Sequence, residues 1–202
     1  MADRAVSSGS PRGRRRGSPD TRSAILAAAR TSFAQHGFAG TTIRAVASAA
    51  GVDAALVHHY FGTKDELFLA ALELPVDPRK LIGPVLAGPL EEAAERFLGI
   101  FLSVWDDPDL RPSLVAVARG IMDPAGSRLM SEGVLPVVIE PIGAALGIDN
   151  PQRRMPLVAS QVIGLILMRY VLAVEPLASM SREELIAIYA PTIQRYLTGD
   201  LP

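Results

Sequence analysis

The chain of 202 residues has no cysteine, which excludes a disulfide framework, thiol catalysis and any metal site built on thiolates. Aromatic residues make up 5% of it against 49% hydrophobic residues overall, so the core must be aliphatic, built from Ala, Leu, Ile and Val. Histidines number three, too few for a histidine-rich metal centre. Long uncharged runs are also lacking. The run between Arg154 and Arg169 has 14 residues, short of the ~20 that a membrane span needs, and it suits a buried helix. Alternation of the strand type and fixed-period repeats are missing too. Residues 1–19 are polar and basic, unlike a secretory leader. The expectation is a soluble, cytoplasmic chain without a membrane partner. Its length suits one ordinary domain or two small ones.

The net charge of −1 hides an asymmetry. Residues 1–65 hold nine Lys/Arg against four Asp/Glu, and residues 66–202 hold eleven against seventeen. A basic N-terminal third on an acidic body suggests that one end meets a polyanion. Arg12, Arg14, Arg15 and Arg16 supply much of the excess, so residues 1–19 read either as a disordered arm that meets a polyanion or as a solvated tail.

Order is expected from Pro19, with Asp20 or Thr21 as N-cap and Ile25, Leu26, Ala29 and Phe33 as an amphipathic stripe. Gly37 closes this first helix. Thr41-Thr42 opens a second, with Ile43, Val46, Ala47 and Ala50 on one face and Gly51 as its stop. Asp53 caps a third, running to about Tyr60, and Gly62-Thr63 breaks it. Thr63-Lys64-Asp65-Glu66 is a capping box opening a fourth. A proline-punctuated link follows, with a short helix around 79–86. Longer helical patterns cover about 90–105, 109–122, 126–146, 152–174 and 182–197, and Pro136 and Pro141 should kink or split the third of these.

Two short helices joined through Ala49-Ala50-Gly51-Val52-Asp53 follow helix-turn-helix logic, in which the second helix faces the DNA major groove. Val52, Leu56 and Phe61 are expected to point inward, leaving Ala54, Ala55, His58 and His59 outward. The adjacent histidines diverge by about 100° around a helix, which argues against shared metal ligation. An inert surface pair is the plain alternative to nucleic-acid contact.

The stretches "AARTSFAQHGFAGTTIRAVASAAGV" and "ALVHHYFGTKDELFLAAL" resemble the DNA-binding domain of the tetracycline-repressor (TetR) family of transcription regulators. The resemblance covers residues 20–72. It rests on an aromatic residue before a glycine, the Thr-Thr-Ile-Arg start of helix two, the Ala-Gly-Val turn, and the aromatic-Phe-x-x-Lys-x-x-Leu close. It implies that Thr42 contacts phosphate and that Arg44 contacts phosphate or base. Ala54, Ala55 and His59 fall at base-facing positions. His58 stands where the family usually has a phosphate-contacting tyrosine, Tyr60 stands at a common His/Tyr position, and Lys64 matches a phosphate-binding lysine. Histidine at 58 shortens that reach, and two alanines can make only apolar base contacts.

Beyond residue 75, Phe97, Phe101 and Trp105 recur at i, i+4 and i+8, and Met122, Met130 and Met168 add adaptable surface. Such a stripe is plain core or ligand lining. The resemblance implies an effector cavity, which makes Phe97, Phe101, Trp105, Met122, Gln161, Met168 and Arg169 effector candidates, with Tyr170 beside them. Gln161 and Arg169 read equally as structural polar groups. Residues 161–168 are apolar almost all round and need cover on every side. A second copy of the last two helices would supply it, with Gly164 allowing close approach and Leu165 and Ile166 in the contact or the adjoining core.

The sequence thus predicts an all-α chain. Residues 1–19 form a basic arm, residues 20–74 hold a three-helix helix-turn-helix domain with a fourth helix leading out of it, and residues 75–202 form a larger effector-binding and dimerisation body. The expected function is an effector-responsive transcriptional repressor, homodimeric on a palindromic double-stranded operator, with no cofactor and no metal. An enzyme is disfavoured because no nucleophile–base pair, metal cluster or phosphate loop is visible. A helical interaction module without DNA binding would have no need for Thr42, Arg44 and Lys64 around the turn.

Overall fold

A computed structural model describes residues 19–121 and 123–202, and among these the chain is helical, with no strand. Helix α1 spans Pro19–Gly40 and leaves helical geometry at Gly37 (φ 71, ψ 178), where the sequence placed its end. It already includes Pro19, ahead of the expected cap at Asp20 or Thr21. Buried Thr41 holds the break by donating from its Oγ1 to the Gly37 carbonyl at 2.8 Å. Helices α2 (Ile43–Ala49), α3 (Ala54–Phe61) and α4 (Lys64–Ala71) follow. Each opens on a side-chain cap from Thr42, Asp53 and Thr63 respectively, and the capping box of Thr63 with Glu66 is complete. These caps satisfy backbone N–H groups that a helix start otherwise leaves unpaired. Gly51, at φ 67, makes the turn between α2 and α3 with a backbone that a side chain would oppose.

The apolar stripe of α1 closes the first core. Ile25, Ala29 and Phe33 meet Val46, Val57, Leu67 and Phe68, all at most 1% exposed. Each large side chain buried this way contributes about 1.5–3 kcal/mol. Phe33, Phe38 and Phe68 pack ring against ring, with centroids 5.1–6.0 Å apart. Val57 is the fully buried residue of α3, whereas Leu56 is half-buried. The expected inward set therefore missed the central one.

The link carries a 3-10 turn (Pro78–Leu81) and α5 (Ile82–Leu86). Arg79 grips Asp77 through two hydrogen bonds and holds its carboxyl below the usual carboxylate range. The body comprises α6 (Ala93–Trp105), α7 (Arg111–Gly120), α8 (Pro124–Leu129), α9 (Glu140–Ala145), α10 (Pro151–Leu165) and α11 (Arg182–Thr198). Wide π-helical turns join α8 to α9 (Met130–Ile139) and extend α10 (Ile166–Val171). The split expected at Pro136 is this π segment. Proline lacks an N–H and crowds the carbonyl four residues back, and a wider turn relieves both. The second π segment ends at Val171, three residues short of the expected helix end.

The body's core gathers Leu98, Leu102, Leu165, Leu185 and Ile193, each at most 1% exposed. Leu165 and Ile166 pack in the protomer's own interior, the adjoining core of the two expected placements. The apolar side chains left exposed nearby are Met168, Leu172, Val174 and Ile188. Residues 151–171 are long and apolar enough to cross a membrane by length and composition, yet Met155, Val158 and Leu165 are buried in the core. Arg154 is buried as well and donates to the Tyr196 and Gly199 carbonyls.

The two units touch. A Cβ at Gly133 would overlap the Phe68 ring, so glycine there lets the π segment close onto α4. Arg128 donates to the Gln35 carbonyl at 3.0 Å.

Candidate nucleic-acid interface and effector cavity

The caps that start α2 and α3 also shape the exposed face beside them. Thr42 is exposed, and its Oγ1 accepts from the Ala45 N–H at 3.1 Å. The hydroxyl proton is left to donate elsewhere. Arg44, Ala55, His58 and His59 are exposed around it. His58 Nδ1 lies 2.8 Å from the Gly62 carbonyl. A carbonyl only accepts, so Nδ1 carries the proton and Nε2 is the nitrogen turned outward. Asp53 spends a carboxylate oxygen on the Ala55 N–H at 2.7 Å. Among the described residues no three His, Asp or Glu side chains gather as a metal set, so the histidine pair has no third ligand.

Three candidates are half-buried. Ala54 is half-buried against the first core, so it supports α3 rather than standing clear on its face. Tyr60 also packs on that core, with the His59 ring edge-on at 5.6 Å. Lys64 is half-buried with its Nζ 4.4 Å over the Phe38 ring, a cation–π contact that holds the ammonium at the start of α4. The sequence reading missed Arg22, whose guanidinium lies 5.1 Å from the Phe61 ring centroid and brings a further positive charge to the end of α3. Its only sequence signal was its position in the first turns of α1.

In the body, Phe97, Phe101 and Trp105 line an apolar cavity of about 260 Å³. A second cavity of about 490 Å³ adjoins it between α1 and α4 on one side and α7 and α8 on the other. Met122 lies outside the described residues. Gln161, Met168 and Arg169 are not among the lining residues of either cavity. Gln161 is half-buried and donates to Ser160 Oγ at 3.5 Å. Met168 is 38% exposed on the surface.

Arg169 is structural. Its Nη1 donates to the carbonyls of Leu177 and Met180, pinning the loop before α11. Its Nη2 stands 3.5 Å from Asp106, which Arg111 and Arg182 also approach at 3.5 and 3.6 Å. Tyr170 donates its hydroxyl to the same carboxylate at 3.0 Å. Burial, reinforced by the Asp106 charge, pushes the phenol up to about 12. One largely buried aspartate thus ties the end of α6 to α7, to the π end of α10 and to α11.

Compared with known proteins, residues 25–71 match the family described as "Bacterial regulatory proteins, tetR family". Residues 91–197 match "Tetracyclin repressor-like, C-terminal domain". A crystal structure of a TetR-family regulator from Streptomyces coelicolor A3 is 39% identical, with 92% of this chain and 98% of that chain covered and a TM-score of 0.49. The HTH-type transcriptional repressor AcnR of Corynebacterium efficiens is 43% identical over 51 residues, 25% of this chain and 27% of that protein. The HTH-type transcriptional regulator BetI of Agrobacterium fabrum is 43% identical over 54 residues, 27% and 26% of the two chains. The chain matches about a quarter of the length of these two curated relatives.

Proposed function

Because the chain belongs to the tetracycline-repressor (TetR) family of bacterial regulatory proteins, we propose that it is a dimeric, DNA-binding transcriptional repressor whose operator affinity falls when a small molecule fills the body. The family and the matched relatives are regulators of transcription rather than enzymes. The observation that carries the reading is the capped α2–turn–α3 unit with Thr42, Arg44, Ala55, His58 and His59 exposed on it.

Phosphate contacts dominate this interface. Thr42 donates its spare hydroxyl proton, and Arg44, Lys64 and Arg22 bring positive charge; His58, with its proton on Nδ1, presents Nε2 as an acceptor for a base donor. Ala55 and His59 are the base-facing groups, with Ala54 setting how closely α3 approaches. Such contacts position the protein, while the few base contacts read sequence. One copy reads too few bases for high affinity, so two α3 helices about 34 Å apart address successive major grooves of a palindrome. Met168 in the π end of α10, Leu172 just after it and Ile188 on α11, all exposed, form the contact between copies. Residues 1–18, ahead of α1, lie outside the described residues, and the charge of Arg12, Arg14, Arg15 and Arg16 assigns them to the DNA-binding end.

Ligand response has a physical route. Met130 and Val134 line both cavities, while Gly133 between them lies against Phe68 of α4. An occupant that displaces the π segment therefore shifts α4 and the α2–α3 unit it carries. Preferential binding to the shifted arrangement releases DNA.

The test is capture of sheared genomic DNA from the source organism by the purified protein, followed by sequencing of what is retained. The expected result is enrichment of fragments sharing an inverted repeat. Retention without sequence enrichment would defeat the repressor reading.

A further inference from the structure

We propose that the two cavities form one site for an uncharged, elongated amphiphile, with its apolar length in the inner chamber and its polar end at the seam between the DNA-binding helices and the body. This rests on the ligand-responsive reading above and adds the chemical class and the placement of the ligand.

The inner chamber sets the first condition. Among the described residues its lining is apolar throughout, from Phe97 and Ile100 on α6 to Val158 and Val162 on α10. The one side-chain N–H in it is the indole of Trp105. A carboxylate or ammonium there forfeits its hydration with no counter-charge to replace it. The occupant's buried part is therefore hydrocarbon.

Size sets the second. The inner chamber, about 260 Å³, falls short of the roughly 300–1,000 Å³ of small-molecule pockets. The seam chamber adds about 490 Å³. The two share Leu74, Trp105, Leu114, Met130, Val134 and Ile166 as their partition. Met130, unbranched and adaptable, is the side chain best able to step aside and join them. A molecule running through both extends from the interior of the body to the seam.

Charge at the seam sets the third. Its ionisable lining residues are Arg30 and Asp123. Arg30 is already paired with Glu73, and Asp123 is exposed. An anionic end would meet Asp123 as well as the already paired Arg30, and a cationic end would meet Arg30 as well as Asp123. A hydroxyl end can hydrogen-bond to either residue, and a carbonyl end to Arg30, without adding an unpaired charge. The seam chamber is also walled by Phe33 of α1 and Phe68 of α4, so its occupant touches the DNA-binding unit directly.

The test uses three ten-carbon probes on the full chain: 1-decanol, decanoate and decylammonium. Trp105 is the single tryptophan and stands in the shared partition, so its emission reads occupancy. Anisotropy of a retained, labelled DNA fragment reads release. Decanol should shift Trp105 emission saturably, at least tenfold more tightly than either ion, and release DNA over the same concentrations. Ala159→Phe, in the inner lining only, and Ala34→Phe, in the seam lining only, should each weaken decanol binding tenfold or more, with folding checked by circular dichroism.

Binding of either ion as tight as decanol would overturn the neutral class, and an unmoved Trp105 with all three would overturn the site. Full decanol affinity in folded Ala34→Phe would overturn the seam placement. Protein that retains no DNA, or that binds decanol without releasing DNA, would sink the repressor reading while Trp105 still decides the ligand class. The wild-type comparison stands whether or not either variant folds.

Discussion

Thr42 is asked to do two things at once, and Thr42→Asp separates them. Its Oγ1 caps α2 by accepting from the Ala45 N–H at 3.1 Å, and its backbone already holds the extended cap geometry (φ −121, ψ 151). Aspartate caps at least as well as threonine, and a negative charge at a helix start contributes about 0.3–1 kcal/mol. Folding stability should therefore hold or rise slightly. The hydroxyl proton proposed to meet a phosphate is lost, however, and a carboxylate replaces it. A hydrogen bond to a charged group is worth about 1.5–3 kcal/mol. Two such losses in a dimer amount to at least about 3 kcal/mol, a hundredfold or more in affinity. The assay pairs thermal denaturation with anisotropy on a captured operator fragment, with Thr42→Ser as the control that keeps both functions. Wild-type DNA affinity in Thr42→Asp would refute the phosphate contact. A marked fall in melting temperature would refute the cap argument instead.

Lys64→Ala should weaken binding to every DNA sequence and flatten log affinity against log salt by about one unit; an unchanged slope would remove Lys64 from the phosphate contacts. Leu172→Asp and Ile188→Asp should give folded monomers by analytical ultracentrifugation with operator binding lost, whereas Leu165→Asp should fail to fold, because Leu165 is 1% exposed within the protomer. A dimer retained in both surface variants would move the interface elsewhere. Asp106→Asn should destabilise the body by about 3 kcal/mol, since Arg169 is 90% buried beside it and loses its counter-charge. The same change should lower the Tyr170 phenol from about 12, readable by ultraviolet titration.

The helix-turn-helix was legible because its determinants are local. Thr42, Asp53 and Thr63 cap their helices within three residues, and Gly51 and Gly62 adopt the positive φ (67 and 72) that stops demand. The Phe97–Phe101–Trp105 stripe was visible as a stripe, but spacing alone does not say whether it meets core or void. What spacing left open has another cause. Arg169 looked like a ligand anchor because its partners, the Leu177 and Met180 carbonyls and the Asp106 side chain, come from elsewhere in the fold. Leu165 and Leu172 look alike in an apolar run, yet π turns and loop packing bury one and expose the other. The seam cavity depends on the meeting of α1 and α4 with α7 and α8, which no periodicity encodes.

The central claim is that two α3 helices of one dimer read DNA. Hydroxyl-radical footprinting on a captured fragment tests it most directly. The account predicts two protected patches related by a two-fold axis, with half-sites centred about one helical turn apart or a multiple of it, and both lost together in the monomeric Leu172→Asp variant. Diffuse protection without half-sites, or a full footprint from the monomer, would contradict it.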